Sequence, residues 1–551
     1  MNNRTISDSL SLLSKLMELQ DENPFKVKSY ASAAFTIKQL SFDLSTIDKD
    51  KIPTIKGIGS TTAKSIIELI ETGELAVLNE YILKTPPGII EMLSIKGLGP
   101  KKISIIWNEL EIESLGELLY ACNENKLTLY KGFGEKTQQS IKESIEFYLA
   151  ASGKLLYAEA VAVVDELMKL LSEAFPEAIT HVTGDFRRQM ETVEQIDWVT
   201  TIPEEALVAF LNKMEFKITI KDNHTIHSIN EHNLSLCFYC CTEQNIISKL
   251  FSSSCSEDFL TQFKDIDTTT YANEEAIFKQ AGINYHPPYL RESADIINKN
   301  IDISKIIQHS DIKGIIHSHS NWSDGKNTLE EMVVAAIAKG YEYLVISDHS
   351  KSAFYANGLK EERIISQQKQ VDELNKKYAP FVVFKSIESD ILYDGELDYS
   401  KDILSTFDLV IASVHSVLKM NEEKAMSRLI KAIESPYTSI LGHPTGRLLL
   451  SRKGYPIDHE KIIDACAANK VVLELNAHPR RLDIDWRWID AALNKGVLIS
   501  IDPDAHSIEG FDDCKYGVLV AQNAALTPDK NLSSFSLAEM QSFIAAQHLK
   551  R

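Results

Sequence analysis

The sequence predicts a multidomain chain: an α-helical N-terminal region, a mixed α+β middle and a C-terminal α/β barrel or wound sheet. Three observations predict it. Residues 1–150 set apolar residues three and four apart between short glycine turns, which is the helical period. Residues 151–310 combine a helical stretch at 161–174 with short apolar strands at 198–202 and 234–241. Residues 311–551 alternate apolar strands with helical patterns, the strands falling at 315–316, 343–347, 382–385, 409–413, 471–475 and 497–501. That is the rhythm of βα units, whose chemistry gathers at the C-terminal ends of strands. A length of 551 residues allows several cores, and 44% hydrophobic with 25% charged residues excludes a disordered or fibrous chain.

Composition narrows the setting. No apolar run approaches the ~18 residues of a membrane span, and the N-terminus lacks an export-type apolar segment, so a cytoplasmic protein without a membrane partner is expected. The seven cysteines, irregularly spaced, read as reduced thiols. Cys237, Cys240 and Cys241 cluster, but no second pair completes a zinc site, and they read as strand packing. A net charge of -20 argues against a nonspecific nucleic-acid coat while leaving room for local basic patches.

One phrase recurs in the helical region: Ile55-Lys56-Gly57-Ile58-Gly59, Ile95-Lys96-Gly97-Leu98-Gly99 and Tyr130-Lys131-Gly132-Phe133-Gly134. A helix-forming stretch follows each copy. These repeats resemble helix-hairpin-helix motifs, in which two glycines permit a tight hairpin. Its N–H groups, with the following helix N-terminus, receive a DNA phosphate oxygen without reading sequence. Gly57, Gly59, Gly97, Gly99, Gly132 and Gly134 are therefore candidate DNA-binding residues, joined by Lys101 and Lys102.

The last region carries the chemistry. Six of the 15 histidines fall at strand ends: His317 and His319 in His-Ser-His, His349 in Asp-His-Ser, His415 in Val-His-Ser, His443 in His-Pro-Thr-Gly-Arg and His506 in Asp-Ala-His. Three carboxylates accompany them, Asp324, Glu388 and Asp504. Nitrogen and oxygen donors in this ratio suit Mn, Zn or Fe, and nine exceed the need of one ion, so two or three divalent ions are expected. Water between two such ions ionises near neutrality and can attack phosphorus. Lys351, Arg447 and Arg481 lie near these phrases and are candidate phosphate clamps.

These phrases resemble the PHP (polymerase and histidinol phosphatase) family of metal-dependent phosphoesterases, and more closely the PHP domain fused to bacterial family X DNA polymerases. The resemblance implies a distorted (βα)7 barrel over 311–551. It implies one ion among His317, His319, Glu388 and Asp504, with Glu388 bridging to a second held by His415 and His443. A third would lie among Asp324, His349 and His506. Asn23-Pro24-Phe25-Lys26 extends the resemblance to the opening domain of those polymerases. The implied domains are 1–84 (N-terminal helix-hairpin-helix), 85–150 (fingers), 151–245 (palm), 246–310 (thumb and linker) and 311–551 (PHP).

The palm departs from the family. Where an Asp-x-Asp pair should share two Mg ions, the chain reads Gln195-Ile196-Asp197, and the third carboxylate position falls on Ser235. The leading expectation is a metal-dependent DNA phosphodiesterase, a 3′→5′ exonuclease or end-processing nuclease with an inactive polymerase core. The alternatives are an active repair polymerase carrying a nuclease, and a small-molecule phosphatase of the histidinol-phosphate type.

Overall fold

The computed structural model describes residues 1–551 apart from 41, 151–152, 223, 232 and 264–269. The chain forms two compact units, one comprising 1–122 with 130–148 and the other 123–129 with 149–551.

The first unit is helical. Its opening helices, Asn3–Leu19 and Pro24–Lys38, start on asparagine caps: Asn2 accepts from the Thr5 N–H at 2.9 Å, and Asn23 precedes a proline at the first helical position. Ile6, Leu10, Leu13 and Met17 recur on one face and are fully buried, as are Ala33 and Ile37 of the second helix. Gly57, Gly97 and Gly132 each take a left-handed backbone (φ +96°, +89° and +96°), which closes the three hairpins. Gly59 and Gly99 cap the helices Ser60–Thr72 and Pro100–Asn108, and Gly134 precedes Glu135–Ala150. The residue between each glycine pair, Ile58, Leu98 or Phe133, is buried and anchors its hairpin.

The second unit begins with a five-stranded sheet in the spatial order Thr180–Thr183, Ile196–Thr200, Ser235–Cys240, Thr225–Ile229, Lys217–Asp222. The helix Tyr157–Ala174 covers it, burying Ala160, Val164, Leu167 and Leu171 in the same core as Trp198 and Phe238. Phe251, Phe259, Phe263 and Phe278 form a separate aromatic cluster around the fully buried Arg291, whose charge is met by Glu274 at 2.7 Å. All seven cysteines are free.

From 314 onward seven parallel strands pair in chain order: Gly314–Ile315, Tyr343–Ile346, Val382–Asp390, Leu409–Ser413, Ile440–Leu441, Val472–Asn476 and Ile499–Asp502. A parallel bridge between Ser318 and Ala505 brings the first and last segments together, giving the nearly closed (βα)7 barrel that the sequence predicts. Alternation along each strand divides two cores. Leu344, Ile346, Val410 and Ala412 pack outward against helices, whereas Tyr343, Val345, Leu409 and Ile411 share an inner core with Met540 and Ile544 of the C-terminal helix Leu537–His548. The inner series turns polar toward the strand ends. Phe384 is followed by Ser386, Glu388 and Asp390, and Val472 by Glu474 and Asn476. That switch creates a polar chamber at one end of the barrel, above an apolar plug.

Candidate metal centre and DNA-binding hairpins

All nine sequence-predicted side chains meet in that chamber, at strand ends and in the loops just beyond. Glu388 lies at its centre. Its Oε1 is 3.2 Å from His317 Nε2 and 3.1 Å from both His415 Nε2 and His443 Nε2. Its Oε2 is 2.9 Å from His349 Nδ1 and 3.6 Å from His319 Nε2. Asp504 Oδ1 stands 3.1 Å from His319 Nε2 and 3.4 Å from His317 Nε2, and Asp324 lies 3.4 Å from His349 Nε2 and 3.6 Å from His506 Nε2. Donor atoms fall into three sets that an ion could share: His317, His319 and Asp504; His349, Glu388 and His415; His319, Asp324, His349 and His506. His319 and His349 thus each belong to two sets, a more interlocked arrangement than three separate groups.

The donors fit metal ions on chemical grounds. His317 Nε2, His349 Nε2, His506 Nε2, Asp324 Oδ2 and Glu388 Oε2 are buried and have no hydrogen-bond partner among the described residues. Buried polar atoms are rarely left so, and here they point at one another. His317, His443 and Asp504 also take positive φ (58°, 23° and 52°), a backbone that non-glycine residues avoid and that gathers at functional sites. The charges respond accordingly. Burial depresses His319, with His506 and His349 adding to the effect, down to about 3. At His506 burial is outweighed by Asp324, which raises the imidazole to about 9.

A second layer of carboxylates, not singled out from the sequence, orients the imidazoles. Glu474 Oε1 accepts from His317 Nδ1 at 2.5 Å, and its Oε2 accepts from the His443 N–H at 2.5 Å. Asp390 accepts from His415 Nδ1 and, at 2.7 Å, from Ser352. Asp348 accepts from the Ser320 N–H at 2.8 Å and from Gln367 Nε2 at 2.6 Å, bracing the loop that carries Asp324. Such partners set which imidazole nitrogen is free to ligate. A signal for them existed: Glu474 is a carboxylate inside an otherwise apolar strand, and Asp390 sits two residues beyond Glu388 on the same face.

Two of the candidate phosphate clamps have protein partners. Arg447 donates to Asp485 Oδ2 at 2.9 Å and to the carbonyls of Arg481 (3.0 Å) and Leu482. Lys351 donates to Glu361 at 2.7 Å. Arg481 is the one directed at the cluster, with Nε 3.8 Å from Asp504 Oδ2.

In the five-stranded sheet, Gln195, Asp197 and Ser235 converge as their strand positions require. Gln195 Nε2 donates to Asp197 Oδ1 at 2.8 Å, while Ser235 Oγ donates to Gln195 Oε1 at 3.2 Å and His227 Nδ1 lies 3.3 Å from it. Burial pushes the lone Asp197 carboxyl up. At the hairpins, Lys102 Nζ caps the Gly97 carbonyl at 3.2 Å, and Lys101 lines an open groove with Trp107 and Lys28.

A seven-stranded parallel barrel with this donor cluster, on a chain that also carries glycine hairpins, defines a PHP-type phosphoester hydrolase equipped with helix-hairpin-helix domains. Residues 1–75 match the helix-hairpin-helix domain family and residues 89–146 the SAM-like helix-hairpin-helix tandem family. The DNA polymerase/3′-5′ exonuclease PolX of Bacillus subtilis is 32% identical over 573 residues, 99% of each chain. A probable phosphatase of Caldicellulosiruptor bescii is 32% identical over 227 residues, 38% of this chain and 87% of its own. The probable phosphatase YcdX of Escherichia coli is 27% identical over 217 residues, 36% of this chain and 82% of its own. The chain belongs to the PolX family, the bacterial family X DNA polymerases with a C-terminal PHP domain. Among the described residues no helix is long and apolar enough to cross a membrane.

Proposed function

We propose that the chain is a divalent-metal-dependent DNA phosphodiesterase, a 3′→5′ exonuclease or end-processing nuclease, whose polymerase core places DNA without extending it. The observation that carries this reading is the convergence of nine donor side chains around Glu388, several with buried donor atoms that have no hydrogen-bond partner among the described residues. His317, His319, Asp324, His349, Glu388, His415, His443, Asp504 and His506 would hold two or three ions, with Mn, Zn and Fe all compatible with the donors. Ions so held supply Lewis acidity toward water and phosphate. The chain's own part is to aim the His317 and His415 imidazoles, through Glu474 and Asp390, and to offset negative charge beside Asp504 with Arg481. The glycine hairpins would deliver the DNA backbone.

The loss of polymerisation rests on Gln195 and Ser235. One carboxylate remains of an expected three, and it is hydrogen-bonded to a neutral amide, so two Mg ions have too few anionic ligands. The full-length relative named as a polymerase favours the alternative, and primer extension decides: incorporation of dNTPs by the purified protein refutes the inactive palm. The matches named as phosphatases favour a phosphomonoesterase, which equal turnover of small phosphomonoesters and oligonucleotides would support. The direct test is digestion of an end-labelled oligonucleotide with Mn. Wild type shortens it from the 3′ end, whereas His415→Ala loses cleavage by at least ~10³-fold and still binds DNA. Full Mn-dependent cleavage by His415→Ala overturns the assignment.

A further inference from the structure

Beside the metal centre stands a side chain that neither motif nor comparison accounts for. Tyr355 lies in the short turn Phe354–Ala356, within the loop that follows His349. Its hydroxyl is buried and has no hydrogen-bond partner among the described residues. Its loop is tied to Asp390 through Ser352 at 2.7 Å, and the segment 123–129 that lies against its ring is tied to the Asp324 carbonyl, so it stands at the edge of the donor cluster. Burial pushes it far above the usual tyrosine range, so it remains a hydrogen-bond donor. A buried hydroxyl with a proton to give and nothing to receive it calls for an acceptor from outside the chain.

The loop that holds it is braced from several sides. Ser352 donates to Asp390 at 2.7 Å and its N–H to Asp398 at 2.6 Å, while the Lys351 N–H donates to Tyr399 Oη at 3.0 Å. The segment 123–129 packs on the outer side: Lys126 Nζ lies 5.2 Å from the Tyr355 ring centre and is paired with Glu124, and Asn125 donates to the Asp324 carbonyl at 3.3 Å. The adjacent ring is placed oppositely. Phe354 is 77% exposed, with its ring centre 5.8 Å from that of Tyr355. An inward phenol and an outward ring on neighbouring residues match the two halves of a nucleotide, phosphate and base.

We propose that Tyr355 is a substrate-contacting residue, its hydroxyl donating to a non-bridging oxygen of the phosphate held at the metal centre, while Phe354 stacks the base of the same nucleotide. This deepens the phosphodiesterase reading and rests on it, since the base of the bound nucleotide must be unstacked to lie on Phe354. A single donor to charge that develops during reaction accounts for roughly 10²- to 10³-fold in rate, and stacking of one base for roughly 5- to 100-fold.

The full chain loaded with Mn is assayed on a short single-stranded oligonucleotide and on p-nitrophenyl phosphate. Tyr355→Phe keeps the ring and removes only the oxygen. Its kcat falls about 100-fold on the oligonucleotide, with Mn content and KM held. Phe354→Ala lowers the kcat/KM ratio of oligonucleotide to p-nitrophenyl phosphate about tenfold. A Tyr355→Phe protein with kcat within about twofold of an active wild type overturns the phosphate contact. A ratio unmoved by Phe354→Ala overturns the base platform. A wild type that hydrolyses neither substrate brings down the phosphodiesterase reading itself, and this one with it.

Discussion

Substituting Glu474 by Gln separates orientation of a ligand from the ligand itself. The carboxylate accepts two hydrogen bonds at once, from His317 Nδ1 and from the His443 N–H, both at 2.5 Å. An amide of the same shape accepts one and donates the other. The His443 N–H is backbone and cannot reverse its role, so the Gln oxygen must face it and the NH2 must face His317. The imidazole is then forced to accept at Nδ1 and carry its proton on Nε2. That nitrogen is the one 3.2 Å from Glu388 and 3.4 Å from Asp504, where an ion would be held, and a protonated nitrogen cannot ligate. Losing such an orienting partner costs roughly 10- to 100-fold in metal affinity, about 1.4–2.7 kcal/mol. Mn titration of Glu474→Gln should show that weakening with the fold intact, and cleavage should recover as Mn is raised to saturation. Affinity within about a factor of two of wild type would refute the tautomer argument. A rate deficit that persists at saturating Mn would refute the claim that the effect runs through metal binding.

Other consequences follow from the same geometry. Burial pushes the Glu274 carboxyl up, but Arg187 and Arg291 outweigh it and hold it at about 2, against an ordinary 4.5. A carboxyl depressed in the folded state contributes stability above its unfolded pKa and loses it as pH falls through the folded one. About 3 kcal/mol should therefore drain from this region between pH 4.5 and 2. Hydrogen exchange in the helix Glu274–Ala281 should report it, and Glu274→Gln, which leaves the buried Arg291 unpaired, should lose protection already at neutral pH. A Cβ on Gly325 would stand 2.2 Å from the His319 carbonyl, so Gly325→Ala must shift the turn carrying Asp324. The expected cost is ~1–3 kcal/mol of local strain, read as weaker Mn binding, and unchanged binding would show that the turn yields freely.

Much of the architecture was legible because each level repeated the same message. The Gly-x-Gly phrases announced three hairpins, and left-handed Gly57, Gly97 and Gly132 form them. Six barrel strands showed as apolar runs, since strands covered on both faces need little polarity. The seventh, Ile440–Leu441, did not. Two residues between Ser439 and Gly442 are too few to display a period, and their pairing with Ile411–Ala412 and Val472–Leu473 makes them a strand. The strand at 382 runs on to Asp390 because Ser386, Glu388 and Asp390 face the polar chamber, a pattern that reads as loop when only the apolar start is counted.

The amino-acid order alone singled out nine imidazoles and carboxylates that the fold brings together, because few uses other than a multi-ion cluster would set so many at strand ends. Tertiary structure decided what surrounds them. Glu474 is 157 residues from the His317 it orients, Arg447 holds the 481–485 turn, and Tyr355 buries a hydroxyl that has no hydrogen-bond partner among the described residues. Residue type is a property of position in the chain, whereas orientation, burial and partnership arise between segments that only folding brings together.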